Sequence, residues 1–137
     1  MKVLTLGHVA TASKTMTDDD VRKFADLVGD RNPIHLDEAF ARKTKFGRRI
    51  VHGLLIASLI STAIGTHLSK GAVYLSQTLQ FVKPVYLGDT ITARVTVVKI
   101  RNDKPIVTLE TVCVNQLEDP VVKGEAQILI EDLRTTR

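Results

Sequence analysis

Cysteine is almost absent: Cys113 is the only one in 137 residues. One cysteine closes no internal disulfide and lacks the paired spacing of a metal knuckle. Its neighbours alternate like a strand, so Cys113 is expected to be a buried packing residue. Aromatics are scarce, with four Phe, two Tyr and no Trp. Several of them fall on apolar stripes, so the stacked platforms that grip nucleic-acid bases are missing. There is little excess charge of either sign: 19 Lys and Arg against 15 Asp and Glu leave a net charge of +4. Such a balance suits an anionic small molecule and does not call for nucleic acid. Met1–His8 has no long apolar run with a cleavage site, so a cytoplasmic location is the expectation. No repeat, low-complexity tract or linker interrupts the chain. A length of 137 residues is expected to make one domain, residues 1–137, with a real core.

What is present begins with one long uncharged stretch, residues 50–68. Its length approaches that of a membrane span. Two histidines, two serines and two threonines within it argue for a helix buried in protein instead, apolar nearly all round. Thr17 followed by Asp18, Asp19 and Asp20 reads as a helix start, with a helix through about Val28. Val21, Phe24, Ala25 and Val28 form its apolar stripe. Asp37 is placed to cap a second short helix over 37–43. Residues 1–14 read as a short strand and its continuation.

The second half reads as strands. Residues 90–97 alternate polar and apolar without a fault. Arg101–Pro105 is a turn, and Val107, Leu109 and Val112–Cys113 continue in a strand. Val122, Gly124, Ala126, Ile128 and Ile130 alternate with polar neighbours, and residues 72–82 form a further strand before Pro84. A long buried helix followed by an antiparallel sheet with one dry face is an α+β layer pattern. The sheet is expected to curl around the helix as a hot-dog fold.

Residues 29–37 read Gly-Asp-Arg-Asn-Pro-Ile-His-Leu-Asp. Asp30 and His35 would lie about 140° apart on a helix and on opposite faces of a strand. Asn32-Pro33 between them forces a turn, and a turn aims both side chains at one point. A carboxylate such as Asp30 can hold a negative charge at pH 7, and an imidazole such as His35 can switch its charge near that pH. A water held between them would face a base and a proton donor together. An Asx-type turn without chemistry suits the same residues.

The run from Phe24 through Gly29-Asp30-Arg-Asn-Pro-Ile-His35 to Ala41 resembles the hydratase-2 signature of the MaoC-like family, the (R)-specific enoyl-CoA hydratases. The resemblance continues through Phe46–Ser61, with Val51-His52-Gly53 at its centre, into Tyr74–Phe81 and Pro84–Asp89. Val28 stands where the signature has a small residue. The family resemblance implies a hot-dog fold and a catalytic pair of Asp30 and His35. It further implies syn addition of water to a trans-2-enoyl-CoA, giving an (R)-3-hydroxyacyl-CoA. Neither metal nor cofactor is then expected, coenzyme A being part of the substrate. Acyl-CoA and water are the expected partners, along with a second copy of the chain in a homodimer; nucleic acid and membrane are not. An acyl-ACP dehydratase, a thioesterase and a non-catalytic acyl-CoA-binding module are the alternatives.

Within that chemistry Asp30 is the expected acceptor of the first proton. Gly53 starts the buried helix, where amides are unpaired and the dipole is positive, and it is expected to bind the thioester oxygen; a packing glycine would look the same. His52 is expected to be structural. Ser61 lies about 12 Å further along the axis, too far to share the task of Gly53. It is a candidate to line the acyl pocket or to donate to the Asp30–His35 loop, or else a back-bonded core serine. Ile64 shares a helix face with Ser61, and Ile128 lies on the strand face turned to the helix. Together they are candidates to close the acyl pocket and to favour chains of roughly four to six carbons. Arg42, Lys43, Lys45, Arg48 and Arg49 form either a solvated surface or a landing site for the phosphates of coenzyme A.

Overall fold

The structure is a computed structural model and describes residues 4–130. Strand β1 runs over Val9–Thr15, later than expected; residues 4–8 lead into it, with the Gly7 amide donating to the Val97 carbonyl and the His8 carbonyl accepting from the Val97 amide. Residues 1–3 lie outside the described part. Thr17 then opens helix α1, Asp18–Val28, through a reciprocal cap. Its hydroxyl accepts from the Asp20 amide, and the Asp20 carboxylate accepts from the Thr17 amide, both at 3.1 Å. Val21 and Ala25 bury the inner stripe, while Val28 stays exposed. Gly29 ends the helix at φ 81°, in the left-handed region glycine adopts without strain.

The Asn32-Pro33 turn is tighter than the sequence suggests. Pro33–Leu36 make one helical turn, α2, with Asn32 as its cap and Pro33 in the first position. Asp37 caps α3, Glu38–Arg42, by accepting from the Phe40 amide at 3.1 Å. The long apolar helix starts at Gly53. Ile50 instead bridges to Tyr86, and the Val51 amide donates to Val85. This helix, α4, is α-helical over Gly53–Thr62 and continues in π-helical form over Ala63–Leu68. Among the described residues no helix is long and apolar enough to cross a membrane.

Five further strands complete one antiparallel sheet: β2 (Val73–Gln77), β3 (Gln80–Phe81), β4 (Thr90–Ile100), β5 (Ile106–Val114) and β6 (Pro120–Leu129). Their order is β1-β4-β5-β6-β2, with β3 also on β6. The alternation in β4 sends Ile91, Ala93, Val95 and Val97 to the core. A register slip between Val97 and Lys99 carries the strand past that pattern and leaves Val98 exposed. The stretch expected as one strand over 72–82 is split into β2 and β3. Gly124 on β6 permits the break, because a Cβ there would run into the Thr78 carbonyl. Ile56, Ile60, Ala63, Ile64 and Leu68 of the helix pack into the core with Val122, Ala126 and Ile128 of β6. Cys113 is buried there, as expected. This is the α+β hot-dog arrangement. The sheet leaves one helix face uncovered, where Leu54, Ser58 and Ser61 are exposed, so the helix is not enclosed all round.

Candidate active site

Asp30 follows the left-handed Gly29 and sits exposed at the mouth of a cleft. Its carboxylate accepts from the Asn32 amide at 3.2 Å, so the acid is held by its own turn. His35 lies in α2, buried beneath it. Nδ1 of His35 is 2.8 Å from the Ile50 carbonyl. A carbonyl only accepts, so Nδ1 carries the proton and Nε2 keeps a free lone pair. Side-chain donor atoms of Asp30, His35 and His52 all lie within 4.8 Å of one another. The cleft has a volume of about 580 Å³, and Gly53 and Phe81 also line it.

Burial pushes the His35 imidazole below its ordinary pKa. Its hydrogen bond to Ile50 and the Asp30 carboxylate oppose that shift, while His52 and Arg49 add to it. The depression leaves His35 as an unprotonated base at neutral pH.

Two contributors were not legible as site residues. The His52 ring stacks on His35 with centroids 3.9 Å apart and planes at 29°. Its Nε2 lies 3.1 Å from the Asp30 carbonyl. The sequence signal was only its place beside Gly53. Arg49 donates through Nε to the His35 carbonyl at 2.7 Å and pairs with Asp18 at 2.6 Å. It is therefore a strut rather than a free cation.

An acid with two histidines is a familiar set of metal donors. Here the imidazoles are stacked, and nitrogen lone pairs point within their own ring planes. A cation in the plane of one ring would lie well off the plane of the other. Nδ1 of His35 is also committed to Ile50. The arrangement suits proton transfer between the bare Nε2 of His35, in its own ring plane, and a small molecule beside Asp30.

Gly53 is the first residue of α4, and among the described residues nothing takes up its amide hydrogen. A Cβ on Gly53 would come within 2.7 Å of the Phe81 ring. Of the expected basic cluster, Lys45 lines the cleft, while Arg48 stacks on the Tyr86 ring at 4.0 Å. Lys83 reaches the cleft as well and pairs with Asp119 at 2.6 Å. Ser61 lies in a second groove of about 340 Å³, which shares Leu54 with the cleft. Ile64 and Ile128 are sealed in the core and line neither depression.

A family model described as a MaoC like domain matches residues 6–116. The (R)-specific enoyl-CoA hydratase of Aeromonas caviae is 48% identical over 126 residues, covering 91% of this chain and 94% of that protein. The enzyme of the same description from Rhodospirillum rubrum is 42% identical, covering 90% and 86%. The solved structure of the (R)-hydratase from A. caviae superposes with a TM-score of 0.91 at 46% identity, covering 95% of this chain and 99% of that one.

Proposed function

Because the chain belongs to the MaoC-like domain family, we propose that it is an (R)-specific enoyl-CoA hydratase, a hydro-lyase interconverting trans-2-enoyl-CoA and (R)-3-hydroxyacyl-CoA. The carrying observation is the convergence of Asp30 and His35 on one cleft beside the free amide of Gly53. Hydration leaves the total oxidation state unchanged, so water and protein acid–base groups suffice, with coenzyme A entering as part of the substrate.

The bare Nε2 favours His35 over Asp30 as acceptor of the first proton. Asp30 accepts a hydrogen bond from the water's other O–H, which stays on the oxygen, and aims the oxygen lone pair at C3. As the C3–O bond forms, the π electrons move toward the thioester, and the Gly53 N–H stabilises the charge on its oxygen. The His35 imidazolium then returns the proton to C2. Oxygen and hydrogen arrive on the same face, which is syn addition. Lys45, which lines the cleft, is the cation for the carrier phosphates, whereas Lys83, which also lines it, is already paired with Asp119.

The active form is a homodimer. Strand β2 is a sheet edge, and exposed edges are commonly paired or covered. Val73, Tyr74 and Leu75 along it are 40–49% exposed, and Phe81 and Leu54 continue that apolar border to the cleft.

The test is hydration of crotonyl-CoA, followed by loss of the enoyl absorbance with chiral analysis of the product. An (R)-alcohol is expected, and Asp30→Asn or His35→Gln should each lower the rate at least ~100-fold. An (S)-product, or release of free thiol instead of hydration, rejects the reading. Faster turnover of the acyl-carrier-protein thioester would move the assignment to a dehydratase of that carrier.

A further inference from the structure

Buried polar side-chain atoms in folded proteins nearly always have a partner. Among the described residues one nitrogen does not: Nδ1 of His52. His52 is only 2% exposed. It occupies the N-cap position of α4, yet its side chain makes no capping bond. The imidazole is therefore not there to finish the helix.

Its contacts lie across the site instead. Nε2 faces the Asp30 carbonyl at 3.1 Å. That carbonyl only accepts, so the ring has its proton on Nε2 and its lone pair on Nδ1. The orphan nitrogen follows from this choice of tautomer: donation to Asp30 uses Nε2 and leaves Nδ1 bare. One face of the ring lies against His35 at 3.9 Å, and Phe24 packs on His52 at 4.8 Å. The next peptide group carries the Gly53 amide. One side chain thus touches the backbone of Asp30 and the ring of His35, and adjoins Gly53 in the chain.

We propose that His52 is a positioning residue of the hydration site, holding the Asp30 backbone and the His35 ring in register with the Gly53 amide. This rests on the hydratase reading above. The need for such a brace follows from the local chain. Asp30 is an exposed residue just after a left-handed glycine, and its carboxylate bonds only within its own turn. Without the His52 donor its backbone loses its tie to α4. A displacement of about 1 Å at reacting groups is enough to cost ~100-fold in rate.

Two substitutions separate the two contacts. His52→Phe keeps an aromatic face and loses the donor; His52→Gln keeps a side-chain N–H and loses the face. The expected result is a kcat lowered about tenfold or more in His52→Phe with KM unchanged, and substantial recovery of kcat in His52→Gln. Nitrogen-15 NMR of the unsubstituted protein supplies a reading that does not depend on the variants folding. It should show His52 protonated at Nε2 and bare at Nδ1. A hydrating protein with the Nδ1–H tautomer overturns this assignment alone. So does a folded His52→Phe with full kcat. Parallel loss of stability, kcat and KM in both variants also overturns it, since plain core packing would give that pattern. A wild-type chain that does not hydrate overturns the functional reading and this assignment together.

Discussion

The Arg49 guanidinium donates to the backbone carbonyl of His35 at 2.7 Å, which ties the α2 turn to the chain entering α4. The Arg49 side chain is 13% exposed, whereas its partner Asp18 is 52% exposed. The Arg49 and Arg22 guanidiniums hold the Asp18 carboxyl below its ordinary range.

These unequal exposures predict unequal losses. Arg49→Ala removes a charged donor from a half-enclosed carbonyl and should cost ~1.5–3 kcal/mol. Asp18→Asn removes only a solvent-screened pair and should cost less than ~1 kcal/mol. Urea unfolding of both variants checks this. Equal losses would place the value of Arg49 in the ion pair instead of the carbonyl contact.

The depressed pKa of His35 predicts a pH dependence of stability. Unfolded, the imidazole titrates near its ordinary value of 6.5; folded, it titrates lower because it is buried. Between those values the unfolded chain binds more protons, so stability falls as pH drops through that window. The contribution is fully present above the unfolded pKa. His35→Gln removes this component, and its unfolding free energy should decline less between pH 8 and pH 5. A variant as acid-sensitive as the parent would count against the assignment. The acid limb of kcat/KM should likewise lie below the ordinary imidazole range, since the proposed mechanism needs an unprotonated His35 to accept from water.

Gly53 predicts an effect on rate larger than its effect on stability. The Phe81 atoms that a Cβ would meet belong to the outer part of a ring on a 53% exposed residue, so the ring can swing aside. Gly53→Ala should therefore fold. The added methyl stands over the amide and should lower kcat by roughly 100-fold, the scale of losing one oxyanion donor. Gly53→Ala/Phe81→Ala removes the crowding and keeps the methyl. If the glycine serves thioester approach, activity stays low in the double variant. Recovery to the level of Phe81→Ala would make Gly53 a packing glycine.

The legible parts of this protein are those written in local order. The Thr17–Asp20 cap, the alternation of Ile91 through Val97 and the apolar face of α4 each need only neighbours a few residues away. The Asp30–His35 convergence was legible because Pro33 forces a turn, although the turn proved to be helical. Less local contacts escaped. His35 and His52 are 17 positions apart, and their stacking exists only once Ile50 has been drawn against α2 by the Ile34 carbonyl and the His35 ring. Arg49 looked like one cation in a basic run, and its burial against the His35 carbonyl is a tertiary fact. The uncovered face of α4 was hidden for a similar reason: Leu54 is apolar, and only sheet curvature decides whether it is wrapped.

That uncovered face bears on acyl length. Leu54, Ala57, Ser58 and Ser61 follow an i, i+3, i+4, i+7 spacing and share one side of α4, and all four line the second groove opposite Tyr74 and Leu79. Leu54 lines both depressions, so in the proposed reaction a tail leaving a thioester at Gly53 would enter this groove over Leu54. Ser61→Leu places bulk in the path at an exposed position, so folding should survive. Each methylene shut out forfeits up to about 0.8 kcal/mol, so losing contact for two carbons should lower the C8-to-C4 ratio of kcat/KM roughly tenfold. Ile64 behaves differently, being 3% exposed and packed in the core. Ile64→Ala should cost ~2–5 kcal/mol, and Ile128→Ala a similar amount. Either variant raises the C8-to-C4 ratio only if its cavity opens into the groove. The length profile must be measured on protein shown to be folded. An unchanged ratio in Ser61→Leu would show that the tail runs elsewhere, whatever the isoleucine variants do.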